Sequence, residues 1–119
     1  MKISVIIPTY NGEKTISRAI KSILNQEGKH DIEIIVCDDC STDDTRRMAS
    51  SYGCTILINP HHTGGPNAGR NLGIDYSTGD LIAFLDQDDE WLPWKLNAQL
   101  AEIGGGYEFI SSRSIIKMG

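Results

Sequence analysis

Asp86 and Asp88 stand two residues apart, directly after the apolar run Leu81-Ile82-Ala83-Phe84-Leu85. If the chain stays extended there, both carboxylates project to the same side. Two hard oxygen donors with a neutral spacer, Gln87, suit a divalent cation that also holds a phosphate. Asp is common in turns, so a solvated acidic turn ahead of a helix is the plain alternative. Three further residues bear on that choice. Tyr10, after another apolar run, offers a ring face on which a flat base can stack. Asp39 can accept a hydrogen bond from a ring N–H such as that of uracil. Arg70 supplies a fork of donors for a base carbonyl or a phosphate. Together they suggest a nucleoside diphosphate.

These residues can meet only if the elements bearing them end on one edge. Residues 2–8 read as a buried strand closed by Pro8 and followed by Thr9-Tyr10-Asn11-Gly12. Ile16, Ala19, Ile20, Ile23 and Leu24 keep helical spacing, with Lys14, Arg18 and Lys21 opposite. Residues 32–37 form a second buried strand running into Asp38-Asp39. Ser41-Thr42-Asp43-Asp44 reads as a helix start, a capping side chain with acids in the first turn, and that helix ends near Tyr52-Gly53. Residues 54–58 give a third strand, and 59–69 a polar loop containing His61 and His62. A helix follows through Arg70, Leu72, Ile74 and Tyr76, then the fourth strand, 81–85. Pro93 suits a first helical turn; Leu96, Leu100 and Ile103 continue that helix, Gly104-Gly105-Gly106 breaks it, and 107–110 reads as a fifth strand. Beyond Ile116 no fold-ending logic is visible. Such alternation predicts an α/β fold, a mostly parallel sheet with helices on both faces in three layers. In parallel strands the ends bearing Pro8-Thr9-Tyr10, Asp38-Asp39 and Asp86-Gln87-Asp88 share one edge.

The 119 residues fit a single domain, with formal net charge -5 and three cysteines. A negative balance without a basic footprint argues against nucleic acid as a partner. A negatively charged protein that binds a negatively charged ligand needs local help from a metal or an Arg. No run is long enough to cross a bilayer, and the apolar run after Lys2 is too short for a signal h-region, which predicts a cytoplasmic domain. An odd cysteine count without a signal argues against disulfides. The Cys37/Cys40 spacing resembles half of a zinc or redox site but has no second pair. No glycine loop with Lys and Ser/Thr marks a P-loop. Trp91 and Trp94 flank Pro93, where packing or stacking on an acceptor sugar are the two readings.

Four segments taken in order resemble the motifs of family 2 glycosyltransferases, the GT-A enzymes that use nucleotide-sugar donors. They are Val5-Ile6-Ile7-Pro8-Thr9-Tyr10-Asn11-Gly12, Cys37-Asp38-Asp39-Cys40-Ser41-Thr42-Asp43, Ala68-Gly69-Arg70-Asn71-Leu72-Gly73 and Leu85-Asp86-Gln87-Asp88-Asp89. The resemblance implies a Rossmann-like GT-A sheet and a UDP-sugar donor. Pro8, Thr9 and Tyr10 would line the uridine pocket, Asp39 would contact uracil and Arg70 would reach the nucleotide. The Asp86-Gln87-Asp88 motif would engage ribose and a Mn²⁺ or Mg²⁺ ion on the diphosphate, with Asp86 and Asp88 toward the metal. The family inverts at the anomeric carbon, an Asp or Glu base taking the acceptor hydroxyl's proton. That base and the acceptor-binding half would lie beyond residue 119, since Glu108 is poorly placed for the role. The expectation is a single donor-binding domain, 1–119, transferring weakly or not at all alone, with sugar and acceptor unspecified. Cys40 departs from the family's usual Gly. A competing reading is a non-catalytic nucleotide-binding or regulatory module, a receiver-like domain having similar length and alternation. Receivers, however, carry the acid pair after the first strand and a Lys after the fifth.

Overall fold

A computed structural model describes residues 2–60, 66–103, 109–110 and 115–117. The elements in chain order are β1 (Lys2–Thr9), α1 (Ile16–Leu24), β2 (Asp31–Asp38), α2 (Thr45–Ser50), β3 (Thr55–Ile58), α3 (Pro66–Tyr76), β4 (Leu81–Phe84), α4 (Lys95–Ile103), β5 (Phe109–Ile110) and β6 (Ile115–Lys117). One sheet holds the strands in the order β3-β2-β1-β4-β6-β5. The first four are parallel, as the alternation predicts. β6 lies antiparallel between β4 and β5. It occupies a stretch from which sequence reading drew no element, and it puts Ile116 beside Ile82. His61, His62, Gly104-Gly105-Gly106, Tyr107 and Glu108 lie outside the described residues.

Residues 3–9 of β1 are all buried, and successive side chains leave opposite faces of the sheet, so both faces are covered. Ile3, Val5 and Ile7 pack with Ile16, Ala19, Ile20 and Ile23 of α1, Ala49 of α2 and Leu96 of α4. Ile6 faces the other way and joins Ile35, Cys37 and Ile82, with Ile74 of α3 against them. Both faces are covered, so the sheet is the middle of three layers.

α3 can approach so closely because it presents glycines one turn apart. A Cβ on Gly73 would stand 2.6 Å from Ile6 Cγ2 and 3.0 Å from Cys37 Sγ, and one on Gly69 3.3 Å from Pro8 Cβ. The sequence places 59–69 in a loop, but α3 already begins at Pro66. Proline suits that first helical position, where its missing N–H has no helical acceptor to lose. Cys37 is buried in this cluster, and burial pushes its thiol up to about 12.

The order of the strands creates the site. From β1 the chain winds outward to β2 and β3 over one face. It then crosses the other face through α3 to set β4 on β1's opposite side. The strand order therefore reverses between β1 and β4, and such a switch point leaves a crevice at the carboxyl ends of the strands. Pro8 opens it further. β1 pairs with β4 only up to Ile6↔Phe84, and the last bond runs from Leu85 N–H to the Ile6 carbonyl. The next ladder bond would need an N–H at residue 8, which proline lacks. On its β2 side β1 stays paired as far as Thr9↔Asp38. Pro8 thus does not end the strand; it ends one of the strand's two ladders.

Candidate functional site

Gln87 closes the crevice at its mouth. The Tyr10 N–H donates to Gln87 Oε1 at 2.8 Å, and Gln87 Nε2 donates to the Tyr10 carbonyl at 2.9 Å. A carboxamide offers one acceptor and one donor side by side, so it can pair with a backbone as a neighbouring strand would. Gly12 leaves room for this: a Cβ there would run into the Gln87 amide. Gln87, expected among the donor-binding residues, has its amide spent on holding Tyr10. Tyr10 as a whole is 39% exposed.

The two acids after β2 divide their tasks. Asp38 is fully buried and accepts from Ser41 N–H at 2.9 Å and Ser41 Oγ at 2.5 Å, with Arg46 Nε 3.6 Å away. Asp39 stands one residue nearer the edge. Its N–H donates to the Thr9 carbonyl at 2.8 Å, and Asn59 Nδ2 donates to its Oδ1 at 3.0 Å. Asn59, at the end of β3, therefore aims the Asp39 carboxylate, a role no motif in the sequence signals. Thr9 is buried and its hydroxyl donates to the Ile7 carbonyl at 2.9 Å, so it shapes the edge from beneath.

The loop after β1 and the loop after β2 are sewn together. The Asn11 N–H donates to Ser41 Oγ at 2.9 Å, the Thr42 N–H to Asn11 Oδ1 at 2.8 Å, and the Gly12 N–H to Thr45 Oγ1 at 2.9 Å. Asp43 accepts from Glu13 N–H at 3.2 Å and from both the N–H and hydroxyl of Thr45. Here the sequence expectation needs correction. Ser41-Thr42-Asp43-Asp44 is not a capped helix start with acids in its first turn. The helix begins at Thr45, its N-cap residue Asp44 makes no side-chain cap bond, and its first turn holds no acid. Ser41 and Thr42 bind the neighbouring loop instead, and Asp43 divides its carboxylate between Glu13 and Thr45. Two residues pay for this course in backbone geometry: Asn11 has φ +46° and Cys40 φ +63°. Asn tolerates the left-handed region; for Cys40 it costs about 1–2 kcal/mol. This is the position where the resembling family carries Gly.

On the other side of the crevice Arg70 Nη2 stands 3.5 Å from Asp86 Oδ1, and its guanidinium lies 5.7 Å from the Phe84 ring centroid. Arg70 Nε is shielded from solvent with no hydrogen-bond partner among the described residues. Both side chains of the pair are well exposed, which makes it weak and easily exchanged for a ligand. Asp88 is exposed and its carboxylate makes no hydrogen bond or ion pair among the described residues; its carbonyl accepts from Arg18 Nη2 at 3.0 Å. No group of three His, Cys, Asp or Glu among the described residues forms a metal cage. The chain does not stay extended here: Gln87-Asp88 form a turn closed by the Asp89 N–H on the Asp86 carbonyl at 3.0 Å, so a shared side for the two carboxylates does not follow from strand alternation. Asp86, paired with Arg70, and Asp88 fit the other mode, in which Mg²⁺ or Mn²⁺ takes one or two protein oxygens and completes its shell from phosphates and water.

The two tryptophans part ways. Trp91 is buried in the core beneath Lys95, whose Nζ lies 5.6 Å from its ring centroid, while Trp94 is exposed.

Comparison with known proteins gives the chain's relatives. The sequence model of a family described as glycosyl transferase family 2 fits residues 4–117. The GalNAc(5)-diNAcBac-PP-undecaprenol beta-1,3-glucosyltransferase of Campylobacter jejuni is 37% identical over 98% of this chain and 39% of its own length. Staphylococcus aureus TarS 1–349, solved in complex with UDP, superposes with a TM-score of 0.83 at 34% identity, over 88% of this chain and 32% of that one. The mannosyltransferase PcManGT of Pyrobaculum calidifontis, solved with GDP-Man and Mn²⁺, gives 0.66 at 29% identity over 75% of this chain and 28% of that one. The chain thus spans less than half the length of each of these proteins.

Proposed function

Because the chain belongs to glycosyl transferase family 2, we propose that its sheet edge binds a nucleoside diphosphate sugar, with a UDP-sugar as donor. The observation that carries the reading is the reversal of strand order between β1 and β4. Tyr10, Asp39 and Asp86 follow the ends of β1, β2 and β4, parallel strands on one edge, and the bonds of Gln87 to Tyr10 and of Arg70 to Asp86 support their acting together. Tyr10 stacks on the base. Asp39, aimed by Asn59, accepts the uracil N–H. Pro8 and Thr9 form the wall between them. Arg70, released from Asp86, turns its guanidinium to the nucleotide. Asp86 and Asp88 would hold Mn²⁺ or Mg²⁺. When bound, that ion supplies Lewis-acid neutralisation of the departing diphosphate.

In the whole enzyme an acceptor hydroxyl attacks the anomeric carbon with inversion, and an Asp or Glu outside residues 1–119 takes its proton. The residues here orient the donor and stabilise the leaving group. UDP in the TarS structure supports the base assignment, and Mn²⁺ beside GDP-Man in PcManGT supports the metal. The lipid-linked oligosaccharide named for the Campylobacter relative supports a place in polysaccharide assembly. Among the described residues no helix is long and apolar enough to cross a membrane. The receiver-like alternative loses its footing in the sheet. A receiver follows the strand order 2-1-3-4-5, whereas here β4 sits beside β1 and the last two strands run antiparallel.

Calorimetric titration with UDP in the presence and absence of Mn²⁺ tests the reading. Saturable binding strengthened by Mn²⁺, with the metal effect lost in Asp88→Ala and the circular dichroism unchanged, is the expected result. Metal-indifferent binding, or none in the wild-type chain, overturns it.

A further inference from the structure

We propose that the face built from α1 and the Leu92–Trp94 segment is a membrane-surface contact that seats this domain on anionic phospholipid. Lys14, in the turn before α1, and Arg18 and Lys21 within it line one wall of a groove of about 640 Å³, whose other wall is 90–93. Their spacing, four and then three residues, stacks them along one side of the helix. Glu90 is the single carboxylate of the lining. Among the described residues none of the three cations forms an ion pair within 4.0 Å; Arg18 spends one donor on the Asp88 carbonyl. In a chain of net charge -5 this is a local reversal of sign.

Leu92, which shares the groove lining with the cations, is 56% exposed, and Trp94, two residues further along the chain, is 55% exposed. They do not ride on a loose loop. The Glu27 N–H donates to the Pro93 carbonyl at 2.8 Å, and Gln26 Nε2 donates to the Leu92 carbonyl at 2.7 Å. The Leu96 N–H completes the brace with a bond to Gln26 Oε1 at 2.9 Å. A braced Leu and Trp next to a row of Lys and Arg match both halves of an interfacial site. The apolar groups enter the headgroup boundary while the cations meet anionic lipid. A protein partner would need a matching socket; a lipid surface needs none, and it supplies negative charge to all three cations at once. Through Arg18 and the Asp88 carbonyl this face is tied to the acidic rim, so seating it would hold the donor crevice at the bilayer.

The inference stands on this face alone and is independent of the donor assignment. Co-sedimentation of the chain with phosphatidylglycerol–phosphatidylcholine vesicles, against phosphatidylcholine alone, tests it. Binding should require phosphatidylglycerol and weaken with salt. It should fall on the order of fivefold for each cation removed in Lys14→Gln and Lys21→Gln. Brominated lipid should quench the fluorescence of Trp94, and Trp94→Phe should abolish that quenching while buried Trp91 keeps its emission. Circular dichroism serves as the folding control and should not move in these variants. Equal binding to both vesicle types, no binding at low salt, or a concentration-dependent dimer lost in Lys14→Gln/Lys21→Gln without vesicle binding each overturns the proposal.

Discussion

The carboxamide of Gln87 and the backbone of Tyr10 exchange two hydrogen bonds, of 2.8 and 2.9 Å, across 77 positions of sequence. The residue between the two acids of the motif is therefore what joins the loop after β4 to the loop after β1. Gln87→Ala removes both bonds and should cost about 1–2 kcal/mol, measured by urea unfolding. UDP binding should weaken with it, because the Tyr10 ring loses its fixed mount. Gln87→Glu should do worse at neutral pH, since a carboxylate cannot donate to the Tyr10 carbonyl and would face it as a like dipole. Undiminished UDP affinity in both variants would detach Tyr10 from the base.

Gly73 sets how deeply α3 sits. Gly73→Ala drives a methyl into Ile6 and Cys37 and should destabilise by about 1–3 kcal/mol. Gly53→Ala is the matched control. It has φ +76° and nothing within 4 Å of the added Cβ, so it carries backbone strain alone, about 1 kcal/mol. If thermal unfolding ranks the two the other way round, helix seating is not what Gly73 protects. Gly73→Ala should also lower UDP affinity, as the shifted helix carries Arg70 away from the edge.

Cys40→Gly should stabilise the fold. Relief of the left-handed backbone, about 1–2 kcal/mol, is partly offset by the greater freedom glycine gives the unfolded chain. A net gain of up to about 1 kcal/mol in denaturant titration is expected. A loss would mean that the Cys40 side chain makes a compensating contact.

Acid should loosen the molecule at two carboxylates away from the crevice. Burial pushes Asp43 up, but hydrogen bonds from the Thr45 hydroxyl, the Thr45 N–H and the Glu13 N–H outweigh it and hold the carboxyl below its ordinary value. Glu33 is likewise pushed up by burial and pulled further down by the Ser4 hydroxyl, by the N–H and hydroxyl of Thr78, and by Lys2. A lowered folded-state pKa means that the stabilisation is complete above the ordinary carboxylate value, about 4, and vanishes as pH falls through the lowered one. Thermal unfolding followed from pH 6 to pH 2.5 should show this decline, and Asp43→Asn should flatten it. An unchanged slope in Asp43→Asn would remove Asp43 from the account.

The parallel core and the shared edge are legible in the sequence because both rest on repeated, local signals. Ile3, Val5, Ile6 and Ile7 announce a strand covered on both faces, and every strand of the first four ends in polar residues. What stayed hidden depends on partners far along the chain. Nothing near Ser41 or Asp43 distinguishes a helix cap from a bond to Asn11 or Glu13. Nothing near Gln87 shows that its amide reaches Tyr10. Asn59 reads as one more loop residue until β3 is laid beside β2. β6 escaped notice because three residues carry too little periodicity, and its antiparallel place beside β4 is a property of the sheet.

The stitching between residues 11–13 and 41–45 makes those two loops a single unit of inheritance. In a chimera, a donor's β1 loop grafted without its β2 loop would bring Asn11-like and Gly12-like positions to acceptors that are not there. Exchanging nucleotide preference between such enzymes therefore requires transplanting both segments at once, with the position equivalent to Cys40 travelling in the same cassette.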